Sequence, residues 1–77
     1  MSATKPRRRA PERGRRIAQA RKARNLSQEQ LAARVGVARS TVARIETGVT
    51  DPTLDVGLAI ARELGVAAET LLAGRGR

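Results

Sequence analysis

Apolar residues recur along the chain at the three- and four-residue intervals of amphipathic helices, and no stretch alternates with the period of two that a strand requires. The pattern predicts five short helices, which span about Glu12 to Arg24, Gln28 to Val35, Arg39 to about Thr47, Leu54 to Leu64 and Ala68 to about Ala73. Their apolar positions form the predicted core: Ile17, Ala20, Leu31, Ala32, Val35, Val37, Val42, Ile45, Leu54, Leu58, Ile60, Ala61, Leu64 and either Leu71 or Leu72. The sequence therefore predicts an all-α domain.

The clearest boundary is the start of the second helix. Ser27 is followed three residues later by Gln30, which is the spacing of a capping box. Gly36 is expected to end this helix, because a glycine adopts the positive φ of a sharp turn at little steric cost. The third helix follows after a three-residue link, and its cap position holds Ala38, which has no side-chain acceptor.

The fourth helix has two possible starts, with Thr53 as its cap or with Asp51 as the cap and Pro52 at the first helical position.

Two glycines weaken the predicted helices. Gly14 falls in the first turn of the first helix, and Gly57 falls inside the fourth, where it costs roughly 1 kcal/mol in helix propensity and is expected to thin the core.

Composition limits the chemistry open to this domain. The 77 residues suffice for one small domain with tails, and they include no histidine, no cysteine and no aromatic residue. Disulfides, catalytic or metal-binding His and Cys, and stacking on unpaired bases are therefore excluded. The hydroxyls and carboxylates form no evident catalytic or metal-ligand set, so we expect a protein that is not an enzyme and carries no cofactor or metal.

The charge is unevenly distributed. The net charge of +9 lies within residues 1–24, whereas residues 25–77 are neutral overall. This asymmetry indicates a polyanionic partner, and an anionic membrane is disfavoured because the basic segment has no apolar face to insert. Residues 1–11 are predicted to be a disordered arm, residues 12–73 the folded domain and residues 74–77 a flexible tail. In the arm, Arg7, Arg8 and Arg9 are expected to raise affinity for any duplex by counterion release, with reading of a minor groove as the alternative.

The second and third predicted helices form a helix-turn-helix, although any helical hairpin would also explain their apolar spacing. The run LSQEQLAARVGVARSTVARIETG, Leu26 to Gly48, resembles the helix-turn-helix of the lambda repressor and Cro family, also called the xenobiotic response element family. The segments DPTLDVGLAIARELGV and AAETLL resemble that family's fourth and fifth helices, so the resemblance covers roughly residues 13–72. It implies a compact five-helix DNA-binding domain. The chain departs from the family at Ala38, Gly57 and Ala20, which suggests a modest monomer that relies on dimerisation.

The resemblance also implies residue roles. Its base-contacting positions are Arg39, Ser40 and Arg44, and its phosphate-contacting positions are Gln28, Thr41, Thr47 and Thr50. Each of the two arginines has the geometry to bind guanine O6 and N7, and the alternative for each is a solvated side chain. Ordinary loop chemistry explains Thr47 and Thr50 about as well. Arg21 and Glu46 match an ion pair that fixes the third helix against the first.

These inferences predict a bacterial transcriptional regulator, most simply a repressor that binds a palindromic operator in double-stranded DNA as a homodimer. The alternative is an antitoxin-type interaction module that masks a partner protein, with DNA binding secondary. No pocket for a small-molecule effector is evident. The longest apolar runs fall short of the ~18 to 20 residues of a membrane span, and no signal peptide is recognisable. The expected location is therefore the cytoplasm, on the nucleoid.

Overall fold

The computed structural model describes residues 11–72, which form five α-helices and no strand. The helices are α1 (Pro11–Ala23), α2 (Gln28–Val35), α3 (Arg39–Glu46), α4 (Leu54–Leu64) and α5 (Ala68–Leu72). The expected all-α fold is confirmed. Helix α1 begins and ends one residue earlier than expected, and α3 ends at Glu46 rather than Thr47. Ala73, the tail 74–77 and the arm that carries Arg7, Arg8 and Arg9 lie outside the described residues.

The ends of α2 follow directly from local sequence. The Ser27 hydroxyl accepts a hydrogen bond from the Gln30 backbone N–H at 2.9 Å, and the Gln30 side-chain oxygen accepts one from the Ser27 N–H at 2.8 Å. At the other end, Gly36 has φ of +79°, a left-handed conformation that other residues rarely adopt, and its N–H bonds to the Ala32 carbonyl. These two caps fix where α2 starts and where the chain turns into α3.

The caps of α3 and α4 settle two further expectations. Ala38 makes no side-chain hydrogen bond at the start of α3, as its residue type requires. The Thr53 hydroxyl accepts a hydrogen bond from the Val56 N–H at 3.2 Å, so Thr53 caps α4 and the alternative start at Asp51 is not used.

The core lies where α1 crosses α3, α4 and α5, while α2 packs against α3 and α4. Its side chains come from all five helices and are buried: Ile17, Leu31, Ala32, Val42, Ile45, Ile60, Ala61, Leu64 and Leu71. Each large aliphatic side chain buried here contributes about 1.5 to 3 kcal/mol of transfer free energy. This core holds α2 and α3 in a fixed relative orientation.

The buried face of α4 differs from the expected one. Leu54 and Leu58 are 72% and 41% exposed, so their assignment to the core was wrong. The other members of the predicted face, Ile60, Ala61 and Leu64, are buried. Leu54 and Leu58 instead line an open groove beside α5, so they remain on the surface.

Gly57 does not thin the core, contrary to the expectation. It is buried, and a Cβ built on it would lie 2.9 Å from Cδ1 of Leu72. The Leu72 side chain from α5 therefore occupies the space that a larger residue at position 57 would fill.

Candidate nucleic-acid interface

Helices α2 and α3, joined by residues 36–38, form a compact helix-turn-helix unit with one buried and one exposed side. Val42 and Ile45 fix α3 in the core. The residues expected to contact bases, Arg39, Ser40 and Arg44, are all exposed, and Thr41 beside them is half-buried. The packing thus turns the polar and basic positions of α3 outward.

The basic and acidic side chains of α3 lie on different sides of the helix. Arg39 and Arg44 are exposed, whereas Glu46, the sole acid in this helix, has a side chain only 5% exposed. Its carboxylate forms an ion pair with Arg21 on α1. The outward face of α3 therefore presents two guanidinium groups and no carboxylate, which favours a polyanion.

Arg21 and Glu46 form a bidentate buried ion pair. Nε of Arg21 lies 2.7 Å from Oε2 of Glu46, and Nη2 lies 3.0 Å from Oε1. Nη1 of Arg21 also donates to the Leu26 carbonyl at 2.8 Å, so one side chain joins α1, α3 and the link before α2. The hydrogen bond to Glu46 raises the pKa of Arg21 against the opposing effect of burial, and the side chain stays charged.

Gln28 connects this pair to the exposed surface. Its Nε2 donates to Oε1 of Glu46 at 3.0 Å, and its Oε1 accepts a hydrogen bond from Nη1 of Arg39 at 3.1 Å. The resemblance to a known family matched Gln28 to a phosphate contact and did not indicate either bond. The partners lie 18 and 11 residues away on another helix, so local sequence gives no signal for them.

Several hydrogen-bond donors in the loop after α3, where phosphate contacts are expected, already bond to carbonyls of α3. The Thr47 hydroxyl donates back to the carbonyls of Ala43 and Arg44, at 3.0 and 3.3 Å. The backbone N–H groups of Val49 and Thr50 also donate to the Arg44 carbonyl. The Thr50 side chain is exposed. Phosphate contacts by Thr47 and Thr50 remain predictions, and a contact through the Thr47 hydroxyl would require it to rotate, because a phosphate oxygen only accepts hydrogen bonds.

Two arginines for which the sequence predicted no partner form bonds within the domain. Arg13 Nε donates to the Leu72 carbonyl at 2.9 Å, and its Nη1 lies 3.1 Å from Oδ1 of Asp51. Arg24 Nε donates to the Leu64 carbonyl at 3.1 Å, at the end of α4. These side chains fasten α1 to the rest of the domain, so the charge of residues 1–24 overstates what the first helix offers a ligand.

DNA-binding helix-turn-helix proteins place the second helix of the motif in the major groove. Here that helix exposes arginines and a hydroxyl and buries its one acid, so the structure is that of a helix-turn-helix DNA-binding protein. The chain belongs to the helix-turn-helix family, which matches residues 17–71, and within it to the lambda repressor and Cro type. It is a DNA-binding transcriptional regulator of the repressor type, in a family that binds double-stranded DNA. None of the helices in residues 11–72 is long and apolar enough to cross a membrane.

Known proteins with similar sequences or structures agree with this assignment. A helix-turn-helix-type transcriptional regulator of Methanocaldococcus jannaschii is 45% identical over 47 residues, which cover 61% of this chain and 71% of the relative. The restriction-modification controller protein C.AhdI of Aeromonas hydrophila has a TM-score of 0.76 at 34% identity, covering 80% of this chain and 94% of C.AhdI. The P22 c2 repressor, bound to a synthetic operator, has a TM-score of 0.77 at 31% identity, with coverages of 80% and 94%.

Proposed function

We propose that this protein represses transcription by binding a palindromic operator as a homodimer, with α3 in the major groove of each half-site. The observation that carries the proposal is the outward row on α3, formed by Arg39, Ser40 and Arg44 on a helix whose opposite side is fixed in the core. A helix held in this way presents side chains to base edges with little loss of conformational freedom on binding.

Each of these side chains has a specific role in the proposal. Arg39 and Arg44 each bind O6 and N7 of a guanine, and Ser40 bonds to a neighbouring base edge. Phosphate contacts come from Gln28, Thr41, Thr47 and Thr50. The arm adds sequence-independent affinity through Arg7, Arg8 and Arg9. We place this activity in the bacterial cytoplasm, on the nucleoid.

The homodimer is supported by an apolar surface that no other part of the described chain covers. An open groove of about 420 Å³ is lined by Leu54, Leu58, Ala68, Glu69 and Leu72. Leu54 and Leu58 are its exposed leucines, and Glu69 is its only charged lining residue. Two strongly basic chains meet least repulsion where arginines are absent, so we propose a second copy as the occupant of this groove.

The test is selection of binding sites from a random duplex library at physiological salt. We expect an inverted repeat whose half-sites are about one helical turn apart. Arg39→Ala and Arg44→Ala should each relax preference at one base pair per half-site by about 1 to 3 kcal/mol. Arg62→Ala is the matched control, because Arg62 is an exposed arginine on α4, outside the helix-turn-helix. It should leave the preferred sequence unchanged.

Salt-sensitive binding without any base preference would contradict this function. In that case the antitoxin-type alternative, in which the domain masks a partner protein and DNA binding is secondary, becomes the better hypothesis. The product of the neighbouring reading frame would then be the partner to test.

A further inference from the structure

Arg13 is the side chain of α1 that bonds to the loop following α3. Gly14, the next residue, packs directly against the backbone carbonyls of Ile45 and Glu46, so the start of α1 lies beside the end of α3. From there Nη1 of Arg13 reaches Oδ1 of Asp51 at 3.1 Å. The close packing of α1 on α3 therefore brings Arg13 to the loop.

The guanidinium of Arg13 is itself fixed in place. Its Nε donates to the carbonyl of Leu72, at the end of α5, over 2.9 Å, and its side chain is only 15% exposed. A side chain that is largely buried and bonded through one nitrogen has already lost most of its conformational freedom. Arg13 can therefore act as a rigid anchor for the carboxylate that its other nitrogen binds.

The loop is held on two sides. The backbone N–H groups of Val49 and Thr50 both donate to the Arg44 carbonyl, at 3.0 and 3.3 Å, which ties the loop to α3 as far as Thr50. Asp51 follows, and the ion pair with Arg13 is the one bond that its carboxylate makes within residues 11–72. This pair therefore fixes the loop from the side of α1, one residue beyond Thr50.

We propose that Arg13 is a positioning residue for DNA binding: by holding Asp51, it fixes the neighbouring Thr50 where its hydroxyl contacts a phosphate. This inference rests on the proposed function, which assigns a phosphate contact to Thr50. The Thr50 side chain is exposed and makes no hydrogen bond within the described part of the chain, so its hydroxyl is free to donate to a phosphate oxygen. A donor that is fixed before DNA arrives loses less conformational freedom on binding.

Charge and positioning predict different effects of breaking the ion pair. If the pair serves only the stability of the fold, or if Arg13 itself attracts DNA, Asp51→Asn removes a carboxylate near a polyanion and raises affinity. If the pair positions Thr50, that gain is offset by the loss of a fixed loop. The double variant Arg13→Gln with Asp51→Asn keeps the net charge of the protein, so charge alone predicts no change for it, whereas positioning predicts weaker binding.

The experiment measures dissociation constants for the selected operator by fluorescence anisotropy at physiological salt. We expect the double variant to bind about two- to fivefold more weakly at each half-site, which is the coupling typical of one partly exposed ion pair. The preferred sequence should stay the same, because α3 is unaltered. Asp55→Asn is the matched control, since Asp55 is exposed and makes no side-chain bond within residues 11–72. Asp51→Asn should bind more weakly than Asp55→Asn, although both remove one negative charge.

The dependence on Thr50 is tested separately. Thr50→Val removes the hydroxyl and keeps the shape of the side chain, so in this background the double variant should lower affinity no further. Circular dichroism melting establishes that each variant is folded. A double variant that binds as tightly as the unsubstituted protein would overturn the inference, and so would an undiminished loss in the Thr50→Val background. Either result leaves the proposed function standing, whereas absence of any base preference in the unsubstituted protein would overturn both.

A second measurement needs no DNA. Nitrogen-15 relaxation of the backbone amides should show Thr50 and Asp51 more mobile in the double variant than in the unsubstituted protein, because the loop has lost its bond to α1. Asp55→Asn should leave the mobility of both residues as it was. Unchanged mobility of Thr50 in the double variant would overturn the inference, since the ion pair would then not be what fixes the loop.

Discussion

Gly14 of α1 packs directly against the backbone of Glu46 at the end of α3. A Cβ built on Gly14 would lie 2.5 Å from the Glu46 carbonyl oxygen and 2.8 Å from its carbon, and it would also strike the carbonyl of Ile45. These are backbone atoms, which cannot move aside as a flexible side chain can. The absence of a Cβ at position 14 is therefore what lets α1 approach α3 so closely.

Gly14→Ala should accordingly destabilise the domain, even though alanine is the better helix former. The clash should cost more than the roughly 1 kcal/mol gained in helix propensity, and we expect the free energy of unfolding to fall by about 1 to 3 kcal/mol. For a domain of this size, that corresponds to a loss of at least about 4 °C in Tm. Urea titration and thermal melting provide the measurement, and an unchanged or higher stability would show that α1 adjusts without cost.

Gly57→Ala is the matched substitution with the opposite expected result. The nearest atom to its new Cβ is Cδ1 of Leu72, at the far end of a side chain that is only half-buried. Leu72 can rotate away, so the gain of roughly 1 kcal/mol in helix propensity should be largely retained. The same titration should show stability unchanged or raised, and a loss comparable to that of Gly14→Ala would mean that Leu72 is fixed.

Removing one partner of the Arg21–Glu46 ion pair should lower the free energy of unfolding more than removing both. Glu46→Ala leaves a buried guanidinium uncompensated, and we expect a loss of about 3 to 5 kcal/mol in the free energy of unfolding. The double variant Arg21→Met with Glu46→Leu removes both charges and should be more stable than Glu46→Ala. Denaturant titration of these variants measures the difference, and a double variant less stable than Glu46→Ala would contradict this explanation.

The raised pKa of Arg21 determines how this contribution depends on pH. A cation whose pKa is higher in the folded state stabilises the fold fully below its usual pKa and loses that contribution only as the pH rises through the raised value. The usual pKa of arginine is already far above neutrality. Ionisation of Arg21 should therefore not change the free energy of unfolding between about pH 6 and 9, as denaturant titration at several pH values can measure.

Features encoded within a few residues were predictable from the sequence. The capping box of Ser27 and Gln30 and the left-handed Gly36 follow from residue type and spacing alone, and they located the helix-turn-helix. The resemblance to a known family supplied the pairing of Arg21 with Glu46, which spacing by itself does not reveal. The two bonds of Gln28 escaped prediction because they depend on how closely the start of α2 approaches residues at both ends of α3.

The fourth helix shows the same limit for packing. Periodicity placed five apolar residues of α4 on one face, and three of them, Ile60, Ala61 and Leu64, are buried. It did not show where the buried part of that face ends, because Leu54 and Leu58 lie beside α5 in an open groove. The extent of burial depends on which helices pack against α4, and periodicity alone does not give that.

The exposed leucines of α4 provide a test of the proposed dimer. Leu54→Glu and Leu58→Glu should each weaken self-association by about 10- to 100-fold, since each places a charge in the apolar groove of both copies, beside Glu69. Val49→Glu is the control, because Val49 is 69% exposed but does not line that groove. Sedimentation equilibrium without DNA measures the effect. Equal weakening by all three, or by none, would place the dimer contact elsewhere.

The basic arm should act through its charge rather than by reading bases. Deleting residues 1–9 removes Lys5, Arg7, Arg8 and Arg9, and should lower affinity for all duplexes while leaving the preferred sequence intact. The slope of log affinity against log salt should become shallower by up to about 0.9 for each phosphate that the arm no longer neutralises. Replacing all three arginines with lysine is the matched control, because it keeps the charge but removes the planar guanidinium. If that variant changes the preferred sequence at the operator flanks, the arm reads a minor groove instead.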